Sequence, residues 1–139
     1  MKYPSDWKEE LSKKPICGVL ATAVAAGVTF EKATDAIKRS LMPWQKRHGG
    51  KTYPEQVAEA MNKLGVNYTQ LPQPERMTLH KWHSLYAMPN VHYMVWTSGH
   101  VVTVQNAYAM DQYEIAHIDE FGPRRCYVRE VFIINSNEC

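Results

Sequence analysis

The chain has 139 residues, 45% of them hydrophobic and 22% charged, with a formal net charge of +2. This is the composition of one globular domain large enough to bury its own core, and the near balance of charge argues against a nucleic-acid or membrane-surface partner. The three cysteines, Cys17, Cys126 and Cys139, are odd in number and lack CxxC spacing, so neither a disulfide framework nor a four-cysteine zinc site fits.

The N-terminal stretch opens Met1-Lys2-Tyr3-Pro4-Ser5-Asp6-Trp7, without the apolar run of a signal peptide. No segment approaches the ~18 uninterrupted apolar residues of a membrane span. With unpaired thiols that suit a reducing compartment, the expected location is cytoplasmic.

In chain order, residues 17–26 are small and apolar almost all round, the pattern of a helix buried on every side, and Gly27 is placed to end it. Thr29 is a good N-cap for a second helix, in which Phe30, Ala33, Ile37 and Leu41 form an apolar stripe that Pro43 closes. After a polar, Gly-containing loop over 45–51, Thr52-Tyr53-Pro54-Glu55 reads as a capping box with Pro in the first turn. Val57, Ala60, Met61 and Leu64 then give helical spacing up to Gly65. A looser stretch with two prolines fills 67–76, and 78–86 reads as a short helix.

From residue 91 onward the pattern changes to β-branched and aromatic runs, predicting strands over 91–97, 100–104, 107–111, 113–118 and 126–134. Ser98-Gly99, Gln105-Asn106 and residues 119–123 supply the turns. Helices followed by an antiparallel meander predict an α+β fold: a single domain over 1–139, with a helical half of about 5–86 and a β half of about 91–134.

Cys17 stands where a polar, Pro-containing lead-in meets an apolar helix. Unsatisfied N–H groups and the helix dipole at such a position favour a thiolate. Far downstream, His100 opens a predicted strand and Asp111 follows a predicted hairpin turn. With Gln105-Asn106 as the hairpin loop, His100 lies opposite Asp111; with Asn106-Ala107, Asp111 pairs with Val102. Either even loop puts imidazole and carboxylate on one face, because strand side chains alternate with period two. A thiol, an imidazole and a carboxylate together make an activated nucleophile, its proton shuttle and the group that orients the shuttle. Gly18 leaves room for a substrate backbone beside the sulfur.

The segment Cys17-Gly18-Val19-Leu20-Ala21, running on through Gly27 and Thr29 to Ala33, resembles the nucleophile region of small papain-like proteins. These include the C39-like peptidases and their phage and bacterial relatives. Tyr93-Met94-Val95-Trp96-Thr97-Ser98-Gly99-His100, continuing to Asn106 and ending at Asp111, is similar to the matching His strand and acid hairpin. The resemblance spans most of residues 12–134. It implies a papain-like fold, with N-terminal helices bearing the nucleophile at a helix start and packed on a C-terminal antiparallel sheet. It also implies Cys17 as nucleophile, His100 as general base and acid, and Asp111 as orienting carboxylate, with Asn106 an alternative third member.

On this reading the protein is a cysteine-dependent hydrolase, a peptidase or an amidase/isopeptidase, acting on a peptide or protein substrate without metal or cofactor. One departure stands out: the family usually carries a Gln a few residues before the nucleophile as oxyanion donor, and residues 1–16 contain neither Gln nor Asn. The Cys17 backbone N–H, Ser12, Lys13, Lys14 or the Trp7 indole would have to serve. The departure motivates the alternative expectation, a catalytically weak or inactive protein of the same fold that engages a host or partner protein.

Other motifs read as structural. Gly49-Gly50-Lys51-Thr52 lacks the first glycine and the preceding strand of a phosphate loop. His80, His83 and His92 have no acidic or Cys partner nearby in the sequence, and Lys46-Arg47-His48 reads as a solvated loop.

Overall fold

The computed structural model describes residues 2–6, 17–40, 53–72, 75–97, 100–121 and 127–135. The chain divides into two compact units, Met1–Asn67 and Tyr68–Cys139.

Among the described residues the first unit holds three helices, α1 (Cys17–Ala26), α2 (Phe30–Lys38) and α3 (Pro54–Lys63), each packed against the other two. In α1 the residues from Gly18 to Ala23 are all buried, which their small side chains permit at close helix–helix range. Gly27 ends α1 with φ +66°, its N–H bonded to Val24 O and the Val28 N–H to Ala23 O. Gly65 ends α3 in the same way at φ +75°, with Val66 N–H reaching Met61 O. These paired bonds around a left-handed residue satisfy carbonyls that the last helical turn leaves open, and glycine adopts that φ without a Cβ clash.

The side chain of Thr29 caps α2 as expected, accepting from Lys32 N at 3.2 Å. A second cap comes from far upstream: the Asp6 carboxylate accepts from Phe30 N (2.7 Å) and Glu31 N (3.0 Å). Phe30, Ala33 and Ile37 are buried as their spacing predicts, whereas Leu41 and Pro43 lie outside the described residues. The capping-box expectation is corrected in register. Tyr53, not Thr52, is the N-cap of α3, with Pro54 as its first residue and no side-chain cap. Pro54 needs no N–H partner there, which removes one of the donors a cap would serve.

Among the described residues the second unit comprises a six-stranded sheet in the order β1-β6-β2-β3-β4-β5 and one helix. Its strands are β1 (Asn67–Gln70), β2 (His92–Thr97), β3 (His100–Gln105), β4 (Tyr108–Met110), β5 (Ile115–His117) and β6 (Val128–Asn135). The helix α4 (Leu79–Tyr86) starts at Thr78, whose side chain accepts from Lys81 N. It inserts Leu79 and Trp82 into a core with Tyr93, Val95, Val102, Val104, Ala109 and Val131. Trp82 meets Tyr93 edge to face, with ring centroids 5.0 Å apart. The opposite face of the central strands, bearing Met94, Trp96, Val101 and Phe132, is buried as well. Each such side chain removed from water contributes roughly 1.5–3 kcal/mol before entropy is counted. Mixed helix and antiparallel sheet is thus the fold class, as the sequence predicts, but β1 falls where a loop was expected and α4 belongs to the sheet unit.

Candidate active site

The geometry around His100 is set by two hairpins. β2 and β3 pair antiparallel with Thr97 opposite His100, and the Thr97 hydroxyl donates to the His100 carbonyl at 3.2 Å. β3 and β4 pair with Val104 opposite Ala109 and Thr103 opposite Met110. This selects the Asn106-Ala107 loop over Gln105-Asn106, and Asn106 takes the left-handed conformation (φ 55°) that Asn tolerates in such turns. Carried outward, the register aligns Asp111 with Val102, on the face of the sheet that also carries His100.

The two side chains meet. His100 Nε2 lies 3.1 Å from Asp111 Oδ2, with the imidazole 28% and the carboxylate 11% exposed. The other carboxylate oxygen, Oδ1, accepts from Tyr113 N (2.8 Å) and Glu114 N (3.0 Å), while Asp111 N–H donates to Glu114 O at 2.9 Å. The turn from 111 to 114 therefore holds the carboxylate in one orientation. Half-burial alone would push the Asp111 carboxyl up. The His100 N–H, the two backbone N–H groups and the His100 charge outweigh it and hold the carboxyl below its ordinary range. An ionised carboxylate only accepts hydrogen bonds, so His100 Nε2 carries a proton and, in the neutral ring, Nδ1 is the basic nitrogen.

Cys17, in the other unit, is the first residue of α1, half-buried and a thiol rather than half of a disulfide. No acidic residue occupies the first turn to compete with an anion at the helix start. Cys126, Cys139 and the upstream oxyanion candidates Trp7, Ser12, Lys13 and Lys14 lie outside the described residues, as do residues 45–52.

Asn106, the alternative third member, sits at the far end of β3 from His100. Its side-chain oxygen accepts from Asn90 N (2.8 Å), and its carbonyl oxygen lies 2.6 Å from His83 Nε2. The residue that meets His100 is therefore Asp111. Among the described residues no group of three or more His, Cys, Asp or Glu side chains is placed to hold a metal ion. His92 is partly buried at the start of β2, and burial lowers its pKa to about 4.

Sequence reasoning missed the supporting hydrogen bonds. The Tyr113 and Glu114 amides had a readable signal, since an Asp that closes a strand and precedes a short polar segment commonly accepts from the backbone two and three residues on. The Thr97 hydroxyl had none.

Compared with protein-family models, curated proteins and solved structures, the chain finds no match. Among the described residues no helix is long and apolar enough to cross a membrane.

Proposed function

We propose that the protein is a cysteine-dependent hydrolase of papain-like fold, cleaving a peptide or other amide bond in the cytoplasm. The observation that carries the reading is the oriented His100–Asp111 pair, built on a sheet downstream of a cysteine that starts a helix.

In the proposed reaction His100 Nδ1 takes the proton of Cys17 Sγ. The thiolate attacks the substrate carbonyl carbon and forms a C–S bond, while the negative charge passes to the carbonyl oxygen. Collapse of this intermediate breaks the C–N bond, and His100 returns the proton to the leaving amine. A water molecule, deprotonated by Nδ1, then attacks the thioester; acid and thiol are regenerated. Asp111 keeps Nδ1 as the reacting nitrogen and stabilises the imidazolium formed in each half. The backbone N–H of Cys17 is the oxyanion donor that α1 itself offers. With one donor missing relative to the family pattern, turnover is expected to fall by ~10²- to 10³-fold.

The absence of Gln and Asn before Cys17 favours a second reading, a binding protein on the same fold with an idle thiol. Turnover of a pool of peptide and isopeptide amides by the native chain and by Cys17→Ala separates the two. Cleavage that disappears in Cys17→Ala supports the hydrolase. Cleavage undiminished in the variant ends it, and no cleavage by either favours the binding protein.

A further inference from the structure

Two features of the sheet converge on the residue that stands opposite His100. The first is a hydroxyl. Thr97 is 6% exposed, and its Oγ1 donates to the His100 carbonyl at 3.2 Å. The β3–β4 ladder covers Thr103 to Gln105, so the strand that pairs with His100 is β2, through Thr97. Cross-strand partners share a face of the sheet, which puts Thr97 on the face of the His100–Asp111 pair.

The second is a β-bulge. Trp96 pairs with Glu130 and Thr97 with Val128, so Arg129 is an extra residue on β6, opposite the step between them. In an unbroken ladder Arg129 would be the partner of Thr97. Its guanidinium would then stand on the face of the pair, disfavouring the imidazolium and competing for the Asp111 carboxylate. The bulge brings Val128 there instead. Val128 is 3% exposed, packs in one core with Val95, Val102 and Val131, and donates its N–H to Met77 O at 2.9 Å. Arg129 is left exposed.

We infer that Thr97, braced by the bulge in β6, is a positioning residue for His100. His100 is the first residue of β3, and its imidazole reaches Asp111 diagonally, because the register aligns Asp111 with Val102. A diagonal contact depends on the direction of the His100 Cα–Cβ bond. The hydroxyl of Thr97 fixes the peptide group beside that bond and thereby holds Nε2 within reach of the carboxylate. For its effect on Cys17 the inference rests on the proposed reaction; its effect on the His100–Asp111 pair stands apart from that reaction.

The test uses the full chain with nitrogen-15-labelled histidine, as the native protein, Thr97→Val and Thr97→Ser. Exchange of the His100 Nε2 proton with water is measured, together with alkylation of Cys17 by limiting iodoacetamide at mildly acidic pH. Loss of the hydroxyl in Thr97→Val should speed the proton exchange about 10-fold or more and slow the alkylation about 10-fold or more. Thr97→Ser, which keeps the donor, should leave both near the native values. A role in packing alone orders the variants the other way, because valine fills the space of threonine and serine does not. Native proton exchange in Thr97→Val, or an equal acceleration in Thr97→Ser, would overturn the inference. Should Thr97→Val fail to fold, Thr97→Ala takes its place against Thr97→Ser under the same two criteria. A native chain whose Cys17 resists labelling in acid contradicts the proposed reaction, and the proton exchange then decides the role of Thr97 by itself.

Discussion

His100 offers Nε2, not Nδ1, to Asp111, across 3.1 Å, while the second oxygen of that carboxylate is held by the Tyr113 and Glu114 amides. Every oxygen of Asp111 thus accepts, and a side chain with one acceptor and one donor cannot replace it. In Asp111→Asn the single oxygen must serve either two backbone donors or one imidazole donor. Two unsatisfied backbone N–H groups are the costlier choice, at about 1–3 kcal/mol each. We therefore expect the Asn amide to turn its NH₂ toward His100, which moves the ring proton from Nε2 to Nδ1 so that Nδ1 is no longer the basic nitrogen. Nitrogen-15 shifts of the His100 ring should report Nε2–H in the native chain at neutral pH and Nδ1–H in the variant. A ring that keeps Nε2–H in Asp111→Asn contradicts this.

The same carboxylate leaves a signature in acid. Its folded pKa is depressed, so as pH falls the unfolded chain binds the proton first, and stability supplied by Asp111 is lost through and below the ordinary carboxylate value of ~3.9. Urea midpoints of the native chain should drop over that interval, and those of Asp111→Asn should drop less. Parallel profiles would show that the pair contributes no linked stability.

His92 predicts a separate, higher window. Its pKa falls from 6.5 to about 4 on burial, and its Nε2 finds no hydrogen-bond partner among the described residues. A depressed histidine is neutral when folded and protonates first when unfolded, so stability declines as pH is lowered from 6.5 toward 4. The full effect is about 3 kcal/mol. In His92→Leu the slope across this window should flatten, because no ionisable group remains at that position. A slope unchanged by the substitution would place the acid sensitivity elsewhere.

Gly27 tests the end of α1 in isolation. A Cβ there meets nothing within 4 Å, so Gly27→Ala costs only the left-handed conformation at φ +66°. Thermal unfolding should show a loss of about 1 kcal/mol. A neutral result would mean that α1 terminates otherwise in solution.

Much of this architecture was legible because local rules act on neighbouring residues. Gly27 and Gly65 punctuate α1 and α3 as glycine should, and hairpin parity put His100 and Asp111 on one face whichever even loop was used. The loop itself was decided by backbone chemistry, Asn106 rather than Gln105 accepting a positive φ. What escaped was non-local or unpatterned. β1 is Asn-Tyr-Thr-Gln, with no alternation of apolar residues, and is a strand because β6 lies beside it. The Asp6 cap of α2 acts across 24 residues, beyond any local motif. Tyr53 displaced Thr52 as the N-cap of α3 because Pro54 takes the first helical position.

The central claim is that His100 activates Cys17, and the rate of Cys17 alkylation by limiting iodoacetamide against pH tests it most directly. An ordinary thiol with a pKa near ~8.5 is only about 0.1% thiolate at pH 5.5. The account predicts rapid, peptide-mapped labelling of Cys17 that persists at that pH in the native chain and collapses in His100→Ala. A single rise near ~8.5 in both proteins would contradict it and leave Cys17 an unactivated thiol.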